Sequence, residues 1–292
     1  MIRGSIVALV TPFQADGAVD FAALKRLVDF HVHAGTHAIV AVGTTGESAT
    51  LSHAEDGAVI RATVEFADGR IPVIAGAGSN STAEACRLTE AAEDAGAQGI
   101  LSVAPYYNKP PQAGLLAHFR AIAASTALPV ILYNVPGRTV TDIHNDTTLE
   151  LAGEPNIVGI KDATGDLHRG RDLITRRPDG FMVYSGDDGT AAELVLSGAD
   201  GDISVTANVA PAQMAQLMNA CLAGNRVAAE QIDQSLRGLH SVLFQEPNPI
   251  PAKWVLSELG LMRPDCRLPL VPVSEALKPL LRQACVDAGV RL

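Results

Sequence analysis

Eight times in succession this sequence sets a short apolar run before a longer stretch of helical period, and that repeat constrains the fold more than any other feature. The runs cover residues 6–10, 38–42, 72–75, 99–103, 129–133, 157–161, 181–184 and 202–205. They are brief, rich in Val and Ile and nearly continuous in hydrophobicity, as parallel strands covered on both faces must be. Between them, stretches such as Phe21-Ala-Ala-Leu-Lys-Arg-Leu-Val-Asp-Phe30 place apolar residues every three or four positions. Gly35, Gly69 and Gly96 stand where such helices would end and turn back to a strand. Eight consecutive right-handed βα units predict closure into a (β/α)₈ TIM barrel of the α/β class, with an open doubly wound sheet as the alternative. After about residue 211 the strand-like runs stop, and helices are expected near 212–223, 226–243, 251–260 and 274–288. The predicted organisation is therefore a barrel over residues 1–224 and a C-terminal helical extension over 225–292, packed on the barrel.

Composition supports one large core and narrows the partners. With 292 residues, 47% apolar and 18% charged, the chain can bury enough surface to fold without staples. Its net charge of −10 argues against nucleic acid or an anionic membrane as partner, so an anionic ligand must be met by a local positive site. Cys86, Cys221, Cys266 and Cys285 are widely spaced and signal neither a disulfide framework nor a zinc site. No stretch reads as a signal peptide or a membrane span, and a reduced, cytoplasmic setting is expected.

In a barrel the C-terminal strand ends carry chemistry, so the polar residues just past each run are the candidates. Here they are Gly43-Thr44-Thr45-Gly46-Glu47, Pro105-Tyr106-Tyr107-Asn108, Tyr133-Asn134, Lys161-Asp162 and Thr206-Ala207-Asn208. Lys161 is the most informative. A period of two along its strand turns Ile157, Gly159 and Lys161 into the lumen. Desolvation there disfavours the ammonium and raises the share of neutral amine, which can attack a ketone and form an imine. The bland alternative is a satisfied ion pair with Asp162 or Asp187. A carbamylated lysine bridging two metals is a further alternative, but His31, His33 and His37 fall at the end of the first helix, where they read as helix surface and turn. Tyr133 ends the neighbouring strand facing inward, where its phenol can move protons during imine formation. The N–H groups around Thr44 and Thr45 suit a carboxylate, and Arg138 can clamp a second one.

Two motifs then identify a family resemblance that covers the whole chain. Gly43-Thr-Thr-Gly-Glu47-Ser-Ala-Thr-Leu51 is the first; Tyr133-Asn-Val-Pro-Gly-Arg-Thr139 followed by Gly159-Ile-Lys161-Asp-Ala-Thr-Gly165 is the second. With them the chain resembles the dihydrodipicolinate synthase family, within the pyruvate-dependent class I aldolases that include N-acetylneuraminate lyase. The resemblance implies a Schiff base between Lys161 and pyruvate, with Thr44, Tyr107 and Tyr133 as a proton relay and Tyr107 supplied by a neighbouring subunit. It implies that Thr45 and Ile203 hold pyruvate and that Arg138 binds the carboxylate of aspartate semialdehyde. It further implies no metal or organic cofactor, a place in diaminopimelate and lysine biosynthesis, and a homotetramer built as a dimer of dimers. Ser48, Ala49, His53, Asn80, Glu84 and Tyr106 match the pattern of an inhibitory L-lysine site, from which Asp56 departs; an extra carboxylate there would favour a cationic ligand. Asp162 stands where Glu is common. Pro105-Tyr-Tyr-Asn-Lys-Pro110, Arg138 and Glu246-Pro-Asn-Pro-Ile-Pro251 favour the synthase over a lyase or aldolase acting on a longer 2-keto acid. A catalytically silent sensor barrel would lack the lysine or the tyrosines, and all are present.

Overall fold

A computed structural model describes residues 2–292. The strands are β1 (Gly4–Ala8), β2 (Ala38–Ala41), β3 (Val73–Gly76), β4 (Ile100–Val103), β5 (Val130–Asn134), β6 (Ile157–Asp162), β7 (Met182–Ser185) and β8 (Gly201–Ser204). Helices α1 (Phe21–Ala34), α2 (His53–Ala67), α3 (Thr82–Asp94) and α4 (Gln112–Ala124) follow the first four strands. Two short helices, α5 (Pro136–Thr139) and α6 (Asn145–Leu151), follow β5; α7 (Leu167–Arg176) and α8 (Asp188–Leu196) follow β6 and β7. After β8 come α9 (Pro211–Leu222), α10 (Arg226–Val242), α11 (Ile250–Glu258) and α12 (Lys278–Asp287).

Every strand pairs in parallel with the next and β8 returns to β1, so the sheet is a closed barrel and the open-sheet alternative is excluded. Closure depends on a glycine pair at the seam. Gly4 faces Gly201, and a Cβ on Gly201 would lie 2.2 Å from the Gly4 carbonyl oxygen. Alternation then separates two apolar layers. Ile6, Ala8, Ala38, Val40, Ile131 and Ile203 fill the lumen, while Val7, Ile39, Ala41 and Leu132 pack outward under the helices. The predicted parity holds for Gly159 and Lys161, which pair with inward-facing Ile131 and Tyr133. It fails for Ile157. The ladder skips from Val130↔Ile157 to Ile131↔Gly159, and the extra residue turns Ile157 to the outer layer and Val158 towards the lumen.

Helix ends follow their sequence signals. Asp20 caps α1, whose far end is closed by Gly35 at φ 81°, and Ser52 and Glu55 form a reciprocal capping box on α2. The predicted last helix begins later than expected, at Lys278, where Pro279 lies in the first turn and fixes the start. Beyond α9, α10 packs on α8, α9 and α12, and α11 is buried along most of its length. Among the described residues no helix is long and apolar enough to cross a membrane.

Candidate active site

Tyr133 and Lys161 are register partners at the ends of β5 and β6, and the Lys161 Nζ lies 4.4 Å from the centre of the Tyr133 ring. Both are nearly buried. The space for the lysine is made by Gly186, just past β7: a Cβ there would meet the Lys161 Cε at 2.5 Å. The alternative ion pair of Lys161 with Asp162 or Asp187 does not form, and each carboxylate has other partners. Asp162 faces Arg169 at 3.4 Å and accepts from Thr164 Oγ1 at 3.0 Å, while Asp187 accepts from Thr190 Oγ1 at 2.7 Å. Burial holds the Asp162 carboxyl above the usual range despite Arg169.

A cavity of about 430 Å³ is walled by Tyr133 but not by Lys161, which stays buried behind the tyrosine ring. Its walls include Thr44, Tyr133 and Arg138, and also Ser48, Ala49, His53, Glu84 and Tyr106. Gly76 and Gly78 form part of the wall because the backbones of Val42 and Val103 pass too close for side chains: a Cβ on Gly76 would lie 2.3 Å from the Val42 carbonyl oxygen. Ile203 is buried in the lumen beneath, and Thr45 is buried behind the wall, its Oγ1 accepting a hydrogen bond from Asn248 Nδ2 at 2.9 Å. Asn80 stays outside the walls, and its carbonyl accepts from Asn108 Nδ2 at 2.8 Å. Tyr107 takes no part in the cavity of its own chain. It is 88% exposed and stands at φ 75°, in the left-handed region.

At the outer end of the cavity His53 Nε2 lies 3.1 Å from Glu84 Oε1, and the other Glu84 oxygen takes the Ser79 hydroxyl. Asp56 lines the same space, and its Oδ1 is buried with no hydrogen-bond partner. Burial, with Glu55 and Glu84 adding to it and His53 opposing, raises the Asp56 pKa to about 7.

One expectation for the histidines fails. His31 is not on the helix surface: it is fully buried, bonded through Nδ1 to Thr36 Oγ1 at 2.9 Å, and burial lowers its pKa to about 3. His33 and His37 do sit on helix surface and turn, with Nδ1 of each engaged by backbone. No group of three or more His, Cys, Asp or Glu among the described residues is placed to hold a metal ion.

Several supporting residues escaped the sequence reading. Arg169 donates to Asp142 at 2.9 Å and to the Ile143 carbonyl, and Asn134 Nδ2 donates to the same Asp142 at 2.8 Å, so one guanidinium holds the ends of β5 and β6 together. Behind β8, the wholly buried Asp202 carboxyl is held well above the ordinary range by burial and by its neighbour Asp188. Asp188 stays low in spite of burial, because His240, Asp202, Ser204 and the Thr206 amide all favour its charge. Lys253, in the apolar stretch of α11, is wholly buried and paired with Glu47. A lone lysine among Ile250, Pro251, Ala252, Trp254, Val255 and Leu256 was the available signal.

The dihydrodipicolinate synthetase family model matches residues 1–287. The chain belongs to that family. The 4-hydroxy-tetrahydrodipicolinate synthase of Alcanivorax borkumensis is 58% identical over 290 residues, 99% of each chain. Among solved structures, the dihydrodipicolinate synthase of Acinetobacter baumannii, described as chloride-inhibited and complexed with pyruvate, is 53% identical with a TM-score of 0.98 over 100% of both chains. A further family structure, the enzyme of Cyanidioschyzon merolae with lysine bound, is 39% identical with a TM-score of 0.95 over 99% of both. Like these members of the dihydrodipicolinate synthetase family, this chain is a (β/α)₈ enzyme.

Proposed function

We propose that this enzyme condenses pyruvate with L-aspartate 4-semialdehyde to give 4-hydroxy-tetrahydrodipicolinate, through an imine on Lys161. The observation that carries the reading is the Tyr133 and Lys161 pair, with the amine 4.4 Å from the centre of a tyrosine ring that walls a cavity shared with Thr44 and Arg138. The Lys161 amine attacks the pyruvate ketone, and loss of water from the carbinolamine leaves the imine. Tyr133 and Thr44, with Tyr107 supplied by a second subunit, pass the protons that these steps require. Loss of a methyl proton gives the enamine, whose carbon bonds to the semialdehyde carbonyl. Arg138 orients the second substrate through its carboxylate. Attack of the substrate amino group on the imine carbon closes the ring and frees Lys161, so no organic cofactor or metal is consumed.

The exposure of Tyr107 supports its use across an interface of a homotetramer rather than within its own cavity. The shared cavity supports inhibition by L-lysine, with Ser48, Ala49, His53, Asn80, Glu84 and Tyr106 as its site. Trapping with borohydride tests the core of the proposal. With pyruvate it should leave one reduced three-carbon adduct on the peptide holding Lys161, and none in Lys161→Ala; an adduct elsewhere overturns the assignment. Comparing turnover of aspartate semialdehyde with that of N-acetylneuraminate separates the synthase from the lyase.

A further inference from the structure

We propose that the buried ion pair of Glu47 and Lys253 is a positioning device for the pyruvate half of the reaction. It ties residues 43–47, and with them Thr44 and Thr45, to the helical extension. The inference rests on the function proposed above.

Residues 43–46 are bracketed by two non-glycine residues in the left-handed region, Val42 at φ 58° and Glu47 at φ 55°. A β-branched residue rarely adopts that conformation, and it persists only where the surroundings over-determine it. Local bonds supply part of that determination: the Thr11 hydroxyl donates to the Gly46 carbonyl at 2.7 Å and the Glu47 amide to the Thr44 carbonyl at 3.1 Å. The rest comes from more than two hundred residues away in sequence. The Glu47 side chain is not in the cavity wall but buried beneath it, and both of its oxygens are used. Lys253 Nζ donates to Oε1, and the Arg267 amide to Oε2 at 3.0 Å.

The anchor is itself held on every side. Lys253 Nζ also donates to the Asp265 carbonyl at 2.9 Å and lies 4.1 Å from the centre of the Phe13 ring. The Arg267 guanidinium lies 4.5 Å from the same ring and bonds the Gly17 and Thr50 carbonyls. Asn248, just before α11, donates to Thr45 Oγ1. A threonine hydroxyl has one proton to give. With Asn248 filling an acceptor position, that proton is left for a carboxylate oxygen.

A buried ion pair is weak evidence for stability, since apolar replacements of the same shape often serve as well. What it does supply is one fixed geometry, here for the loop that meets pyruvate. Arg138 lies on α5, outside this anchor, so the two substrates should respond differently when the anchor is cut.

Three variants test this: Lys253→Met, the charge-free double variant Lys253→Met/Glu47→Gln, and the mildest change, Glu47→Gln. Activity is expressed per site trapped by pyruvate and borohydride, which removes the contribution of unfolded protein. In the double variant the melting temperature should recover relative to Lys253→Met, while the pyruvate KM stays raised by about tenfold or more. The semialdehyde KM should change by less than about twofold. In Glu47→Gln, which is decisive if the other two do not fold, the pyruvate KM should rise at least about threefold. A pyruvate KM at the wild-type value, or both KM values rising together, would overturn the positioning role. Failure of the wild-type chain to be trapped by pyruvate would instead refute the function on which the inference rests.

Discussion

The two walls of the site are held in place by opposite strategies. The Tyr133 wall, with Lys161 behind it, is fixed by neighbours: Asn134, Asp142, Asp162 and Arg169 lie within one stretch of chain spanning β5 to α7. The wall of Thr44, with Thr45 behind it, is fixed from afar, by Asn248, Lys253 and Arg267 in the segment after the barrel. The first belongs to the barrel's own repeat, in which adjacent strands end side by side. The second draws on donors outside the repeat, since both Glu47 carboxylate oxygens are taken by Lys253 and the Arg267 amide. The residues that fix the two sides of the cavity are therefore divided between the barrel and the segment that follows it.

The largest way to probe the local wall is Tyr133→Phe. It keeps the ring beside Lys161 and removes only the hydroxyl, so kcat should fall by roughly 10²-fold or more with an unchanged melting temperature. A kcat within a few fold of wild type would remove the proton-transfer role of Tyr133.

A smaller effect on chemistry, with a larger one on stability, is expected from Arg169→Met. It leaves Asp162, whose side chain is 3% exposed, without its cation. Breaking a buried pair on one side costs about 3 kcal/mol, to be read from urea unfolding. A loss below about 1 kcal/mol would show that Asp142 and Asn134 hold the strand ends without it.

The smallest effect concerns the wall held from afar, where the two carboxylates Glu47 and Asp56 differ sharply. Glu47 is saturated with donors, whereas Asp56 has a buried oxygen with none. The folded state keeps the Asp56 proton up to about pH 7, against an ordinary value of 3.8. Its stabilising contribution is thus complete below the ordinary value and is lost as the pH rises through about 7. Asp56→Asn should therefore melt a few degrees above the wild type at pH 8, with the gap closing as the pH falls to about 4. Equal melting temperatures at pH 8 would show that the cavity solvates Asp56. A cationic ligand such as L-lysine should narrow the same gap by pairing with the carboxylate.

Much of the local wall was legible in the sequence. The period of two along residues 157–161 points Lys161 inward, and the same count on β5 points Tyr133 at it. That reasoning failed at Ile157, because the bulge is set by how β5 and β6 fit each other and leaves no trace in either strand alone. It failed again at His31, since helical spacing says which residues share a face but not whether the rim of that face is covered. The lysine's alternative partners, Asp162 and Asp187, are instead met by Arg169 and Thr190, pairings that no local spacing announces.

By itself the sequence determined the eightfold repeat, the lysine and tyrosine at adjoining strand ends, and the family, and it favoured a closed barrel that the β8 to β1 pairing then settled. Periodicity and end signals are local physics, and local physics is written in consecutive residues. Only the tertiary structure decided that Glu47 meets Lys253, that Asn248 donates to Thr45, that Gly186 makes room for Lys161, and that Tyr107 stands exposed outside the walls of its own cavity. Those pairings join residues from distant parts of the chain, and close packing selects them only once the barrel has closed and the extension has folded against it.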